Sequence, residues 1–167
     1  MLIIFAGLPG TGKTTLSKVL SKKLNAVYLR VDTIEQACKN SKFLNIETVE
    51  DAGYLVAYDV AKDNLKNGLT VVADSVNPIA ITRNDWLSVG KEINVKAVEI
   101  EVVCSDKTEH KRRVESRVAD IPNHVVPTWQ DVLDREYEPY PRSVLTIDTA
   151  SKSVETCLNS ILSNLKP

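Results

Sequence analysis

Gly7-Leu8-Pro9-Gly10-Thr11-Gly12-Lys13-Thr14 fills every fixed position of a phosphate-binding loop, G-x-x-x-x-G-K-T. Glycine at 7, 10 and 12 lets the backbone turn tightly and aim successive N–H groups inward at phosphate oxygens, where a β-carbon would intrude. Lys13 adds a mobile point charge for the β- and γ-phosphates, Thr14 offers a hydroxyl to Mg²⁺, and Thr15 extends the expected set of nucleotide contacts into a helix whose positive end points at the anion. A short apolar run, Leu2-Ile3-Ile4-Phe5-Ala6, precedes the loop and reads as a strand; Leu16, Val19, Leu20 and Leu24 follow it as a helical stripe. Strand, loop and helix in that order predict a nucleoside triphosphate site rather than a turn that only reverses the chain.

Ligands of a parallel α/β sheet sit beyond the carboxyl ends of its strands, so residues that follow the other expected strands carry the next step. Asp32 follows the second. Two readings stand there: a carboxylate that accepts the proton of an attacking hydroxyl, or a helix cap paired with Glu35 in a capping-box pattern. Asp74 follows the third and most apolar strand, where a carboxylate suits Mg²⁺ or the acceptor, with Ser75 and Asn77 beside it; the alternative is a turn made by Asp74, Asn77 and Pro78. Arg113 and Arg117 are spaced one helical turn apart in a basic stretch with Lys111 and Arg112. Forked guanidinium donors stabilise a phosphoryl group in transfer as no lysine can; the competing reading is a solvated basic face balanced by Asp106, Glu109 and Glu115. The Pro-containing loop after them, within an approximate lid at 118–130, is expected to close over the phosphates, with Arg135 on its far side as a weaker candidate for the same work.

The elements that must position these residues alternate along the chain. Strands are predicted at Leu2–Ala6, Ala26–Val31, Leu69–Ala73, Val95–Val103 and Val144–Ile147. Helices are predicted after the phosphate loop, from Asp32 to Lys39, through Val49, Ala52, Val56, Val60 and Ala61 to a stop at Asn67-Gly68, from Thr82 to Ile93, from Asp106 to Ala119, from Gln130 to Tyr137, and through Val154, Leu158, Ile161, Leu162 and Leu165. A polar stretch runs through Asn45. Five strands alternating with helices predict a three-layer α/β/α sandwich around a five-stranded parallel sheet, in a single domain spanning 1–167. Its 167 residues, 43% hydrophobic and 26% charged, suffice for one buried core, and a net charge of −1 gives no whole-molecule attraction to nucleic acid or membrane. Cys38, Cys104 and Cys157 are expected as reduced, buried residues of a cytoplasmic protein. The apolar N-terminus lacks a basic flank and is too short to span a bilayer, so no signal peptide or anchor is expected. The expected assembly is a monomer or homodimer.

Together the N-terminal phosphate loop, Arg30-Val31-Asp32, Val72-Ala73-Asp74-Ser75-Val76-Asn77, and Arg113-x-x-x-Arg117 before a lid resemble the small P-loop kinases, which include gluconate kinase, chloramphenicol phosphotransferase and the kinase module of phage polynucleotide kinase. Asn77, Arg83 and Trp86 also fall at places similar to that last module. The resemblance implies an adenylate-kinase-like sheet in the P-loop NTPase fold, ATP with Mg²⁺, Asp32 as catalytic base, and lid arginines on the phosphates. One departure matters. Polynucleotide kinases carry an arginine three residues after the base to hold a substrate phosphate, and this chain has Glu35 there. A carboxylate repels a nucleic-acid phosphate and suits a neutral or cationic acceptor. The expected activity is therefore ATP-dependent phosphorylation of a hydroxyl on a small molecule, with Lys13, Asp32, Arg113 and Arg117 catalytic and Thr14 with Asp74 on the metal. A polynucleotide 5′-hydroxyl kinase and a nucleotide switch without an acceptor are the alternatives. Residues 41–58 match no motif that identifies the acceptor.

Overall fold

The structure, a computed structural model, describes residues 1–41 and 51–165. The polar stretch from 42 to 45 and Val49 of the expected third-helix stripe lie outside those residues. The order of elements is β1 (Leu2–Ala6), α1 (Lys13–Leu24), β2 (Val27–Arg30), α2 (Val31–Lys39), α3 (Ala52–Lys66), β3 (Val71–Asp74), α4 (Ala80–Glu92), β4 (Ala97–Val103), α5 (Lys107–Glu115), α6 (Trp129–Asp134), β5 (Leu145–Asp148) and α7 (Val154–Leu165). The five strands form one all-parallel sheet in the order β2-β3-β1-β4-β5.

β1 is central and fully buried because its unbroken apolar run supplies both faces of the sheet. Leu2 and Ile4 enter one core with Trp86, Ala57 and Leu65, while Ile3 and Phe5 enter the other with Leu16, Leu20, Leu158 and Ile161. The period-two alternation of the strand thus divides the helices, with α2, α3 and α4 on the first face and α1 and α7 on the second. The expected three-layer parallel fold is the observed one.

Several local expectations need correction. Val56, Val60 and Val19 are exposed; α3 instead faces the sheet with Gly53, Ala57, Tyr58, Ala61 and Leu65, because the Tyr58 ring packs edge-on against buried Trp86 at 4.7 Å. α5 stops at Glu115 rather than Ala119, so Arg117 lies beyond the helix, its N–H closing a last turn on the Val114 carbonyl at 3.3 Å. Asp106 does cap α5, accepting from the N–H groups of Thr108 and Glu109, but the Glu109 side chain does not return the bond and turns to Arg113. The expected lid is an irregular loop from 116 to 128; Trp129 and Gln130 already belong to α6. Cys104 and Cys157 are buried and free, whereas Cys38 is only half-buried.

The loop between β3 and α4 holds its shape through Arg83, which is 1% exposed yet meets no carboxylate among the described residues. Its Nε donates to the Asn77 carbonyl at 2.8 Å, and Nη2 donates to the carbonyls of Pro78 and Glu138 at 3.0 and 2.7 Å. The guanidinium stacks 3.9 Å over the Tyr140 ring, so the segment after α6 lies against β4, where Glu99 and Glu101 take Arg142 and the Tyr137 hydroxyl. Arg83→Leu leaves three carbonyls unanswered and should destabilise the protein by about 3 kcal/mol or more. Arg83→Lys, lacking the planar fork, should recover little of that loss. Denaturant melts of both variants check this; a Lys variant as stable as the parent would contradict it.

Candidate active site

The phosphate-binding loop joins β1 to α1, and neighbours on every side take up its backbone groups. Gly7 N–H donates to the Val76 carbonyl at 3.1 Å, and the Thr11 hydroxyl donates back to the Leu8 carbonyl at 2.9 Å. Thr149, just after β5, donates its hydroxyl to the Thr11 carbonyl at 2.8 Å. On the far side His110 of α5 meets the Pro9 carbonyl through Nε2 at 2.8 Å. A carbonyl can only accept, so Nε2 carries the proton. With these carbonyls taken up, and the N–H groups of Gly7 and Thr11 bonded to the Val76 and Leu8 carbonyls, the other N–H groups of the loop are left for a phosphate. Gly12 caps α1 in a left-handed conformation at φ 96° with no side chain on the helix's first N–H groups, so that end of the helix remains open to an anion.

Gly10 shows that more than phosphate excludes side chains here. At φ 83° it lies so close to Val114 and His110 that any Cβ would overlap α5. The second constraint, α5 packed onto the loop, is invisible in the motif.

Apart from Arg135, the residues singled out in the sequence lie at this edge of the sheet. Lys13 is 6% exposed; burial pushes its amine below the ordinary value, and the charges of Asp74 and Asp32 oppose that, while Arg117 and Arg30 add to it. Asp74 is 1% exposed at the end of β3. Its Oδ2 accepts the Tyr28 hydroxyl at 2.6 Å, whereas its buried Oδ1 has no partner among the described residues. Burial, then the Asp74 charge and that bond, push the Tyr28 phenol well above the usual range. Ser75 is also buried with its hydroxyl unpaired.

Asp32 does not cap α2. The N-cap position is Arg30, without a side-chain cap bond, and Asp32 sits inside the first turn with its carboxylate 3.4 Å from Arg30 Nη2. Glu35, on the same helix, lays its stem against Gly53 of α3. Burial first, and then the Asp32 charge, push the Glu35 carboxyl up. Tyr54 donates nothing to either; its oxygen accepts the Asn77 N–H at 3.2 Å, and burial raises the phenol to about 12.

The arginines divide. Arg117 is half-buried and lines a cleft of about 400 Å³ together with Gly10, Gly12, Lys13, Thr14 and Thr15. Arg113 lines the same cleft, but three of its five N–H donors are already committed, Nη2 to Glu109 at 2.6 Å and the Thr149 carbonyl at 3.1 Å, and Nη1 to the Thr149 hydroxyl at 2.8 Å. Arg135 is exposed and lines a separate shallow depression with Val125 and Pro127. Asp32 and Asp74 are not in the wall of the 400 Å³ cleft, although the charges of both act on Lys13, which is.

No group of three His, Cys, Asp or Glu side chains among the described residues could hold a metal by itself. A Mg²⁺ site of one hydroxyl and one carboxylate, completed by phosphate oxygens and water, has the chemistry that Thr14 and the unpaired Oδ1 of Asp74 provide. Tyr28, His110, Thr149 and Asp120 were not singled out in the sequence. Thr149 was within reach of the strand-end rule; His110, buried in the middle of a charged helix, carried no motif.

A family profile described as an AAA domain matches residues 2–136. The L-seryl-tRNA(Sec) kinase of Methanococcus maripaludis is 31% identical over 171 residues, covering 97% of this chain; the chain spans 65% of that relative's length. Among solved structures, Kti12 of Chaetomium thermophilum in complex with ADP-AlF3 aligns over 100% of both chains with TM-score 0.72 and 20% identity. The APS kinase CysC of Mycobacterium tuberculosis, in complex with AMPPNP and APS, aligns over 99% of this chain and 97% of its own with TM-score 0.73 and 16% identity. At those identities the structures establish the shared fold. No helix among the described residues is long and apolar enough to cross a membrane.

His110→Phe keeps the ring that packs edge-on against Trp129 at 5.2 Å but leaves the Pro9 carbonyl buried without its donor. The variant should lose about 1–2 kcal/mol in chemical denaturation and exchange the amides of the phosphate-binding loop faster than the parent. Unchanged exchange there would show that the clasp does not hold the loop.

Proposed function

Because the chain belongs to this AAA-domain family of P-loop kinases, we propose that it transfers the γ-phosphoryl group of ATP to a hydroxyl of a small-molecule acceptor. The observation that carries the proposal is the arrangement at one edge of the sheet: Asp74 ends β3 in register with Arg30 of β2, whose guanidinium lies 3.4 Å from Asp32, and Arg117 lines the cleft with Lys13 and Thr14. A nucleotide switch needs the loop and its metal ligands; it has no use for a second carboxylate beside them.

In the proposed reaction the Asp32 carboxylate accepts the acceptor's hydroxyl proton as the oxygen attacks the γ-phosphorus. The bond from that phosphorus to the β–γ bridging oxygen breaks, and ADP departs with the electron pair. Lys13 and the α1 N-terminus bind the phosphates, and Arg117 meets the charge that builds on the transferred group. Arg113 acts one step back by bracing Thr149, which holds the loop. Mg²⁺, when bound by Thr14 and Asp74, neutralises charge on the phosphate oxygens. The free, separate thiols of Cys104 and Cys157 suit a cytoplasmic site of action.

For the acceptor, Glu35 is the informative residue. Its half-buried carboxylate shares a helix face with Asp32 and would repel a phosphate brought to the point of reaction. This favours a neutral or cationic alcohol. The named activity of the Methanococcus relative concerns a seryl group carried on tRNA; the seryl hydroxyl fits this reading, whereas tRNA is an outcome for the test to decide.

Asp32→Asn keeps shape and removes the proton acceptor. ADP release, assayed against sugars, nucleosides, aminoglycosides, serine derivatives and seryl-tRNA, should be acceptor-stimulated in the parent. In the variant that stimulation should fall about 100-fold or more, with Mg-ATP binding intact. Acceptor-independent hydrolysis by both proteins would instead identify a switch.

A 5′-hydroxyl oligonucleotide should be a poor acceptor, and Glu35→Arg should improve its use. Efficient, steeply salt-dependent phosphorylation by the parent would replace the small-molecule reading with a polynucleotide one.

A further inference from the structure

The loop beyond α5 does more than carry Arg117. Asp120, farther along the same loop, accepts Arg30 Nη1 on both carboxylate oxygens at 3.0 and 2.8 Å and Lys18 Nζ at 2.7 Å. The other nitrogen of that guanidinium, Nη2, lies 3.4 Å from Asp32 Oδ2. Arg30 is therefore shared between the loop and the residue proposed as base, and the share is unequal. A separation of 2.8 Å is a full charge-assisted hydrogen bond, and 3.4 Å is at the outer limit of one.

Arg30 has little freedom. Its side chain is 3% exposed, and its Nε is buried without a partner among the described residues, so the charge cannot turn to water. The carboxylates acting on it are Asp120, Asp32 and Asp74. Asp74 already accepts Tyr28. If the charge of Asp120 is removed, the remaining counter-ion within reach among the described residues is Asp32, and a buried cation without a close partner is costly enough to pull the two together. Arg30 would then occupy a lone pair that Asp32 needs for the acceptor's proton. Burial opposes the ionised form of Asp120, but the bonds and charges of Arg30 and Lys18 outweigh it and hold its carboxyl well below the usual range, so the contact persists at neutral pH.

We propose that Asp120 is a positioning residue that holds Arg30 off Asp32 and so leaves the base open to the acceptor. The contact exists only while the loop lies down against α1 and β2. The position that brings Arg117 to the phosphate cleft is then the same one that frees the base, so that closure and proton acceptance are one event. This inference rests on Asp32 being the base of the proposed reaction.

The test is the isosteric Asp120→Asn variant at an exposed position, studied beside the parent and Asp120→Glu in the full chain. A crystal structure of Asp120→Asn should show the Arg30 Nη2 to Asp32 Oδ2 separation closing from 3.4 Å to about 2.8 Å. Acceptor-stimulated kcat should fall about tenfold or more while KM for ATP stays within about twofold, and Asp120→Glu, which restores a carboxylate to Arg30, should recover most of the rate. An unchanged separation overturns the proposal, as does a closed separation with unchanged kcat. If the parent shows no acceptor-stimulated ADP release, the kinase reading fails, and the separation in the variant still decides whether Asp120 sets the distance from Arg30 to Asp32.

Discussion

A loop that offers its N–H groups to a phosphate must find other partners for its carbonyls, and that requirement organises this end of the molecule. The carbonyls of Leu8, Pro9 and Thr11 turn outward to Thr11 itself, to His110 and to Thr149. Two of the donors, His110 and Thr149, arrive from other parts of the chain. α5 has to lie across the loop to bring His110, and the turn after β5 has to end beside α1 to bring Thr149. Buried backbone groups without partners are costly enough that these placements follow from the loop rather than accompany it. Arg113 belongs to the same scheme, since it ties Thr149 to Glu109 on α5 and so joins the two clasps.

Two buried arginines show how surroundings assign a role. Arg83 donates through Nε and Nη2 to neutral carbonyls, packs on aromatic faces, has no ion pair among the described residues, and fixes the loop on which Asn77 and Pro78 follow Asp74. Arg30, only slightly more exposed, is surrounded by carboxylates, among them Asp32 and Asp120. A cation bonded to fixed dipoles holds a shape. One divided between two carboxylates, of which one sits on a loop, can redistribute when the loop moves. The first is a rivet and the second a coupling.

Much of the fold was legible in the chain. The continuous apolar run of β1, the helical spacing around it and the glycine signature between them specify strand, loop and helix locally, and strands separated by helices leave a parallel sheet as the natural arrangement. Helix faces and ends were less legible. Val56 and Val60 have the spacing of a buried stripe, yet α3 rolls toward Gly53 and Tyr58 because Trp86 of α4 waits there. α5 has the composition to run on to Ala119, yet it ends at Glu115 and the chain departs to place Asp120 on Arg30 and Lys18.

The sequence by itself therefore determined what short-range chemistry can encode: the phosphate-binding loop, the alternation that makes the sheet, and the acidic and basic residues that follow strands. Only the tertiary structure decided which of those charges face one another. Asp32 became an uncapped carboxylate beside Arg30, Arg113 a brace, Arg117 a cleft residue and Asp120 a partner of β2, and His110 emerged from a charged helix to hold the loop. The reason is that propensity and periodicity act over a turn or a pleat, whereas an ion pair such as Lys18 with Asp120 joins residues 102 positions apart in the chain. Its partner is fixed by the packing of the whole domain and leaves no local trace.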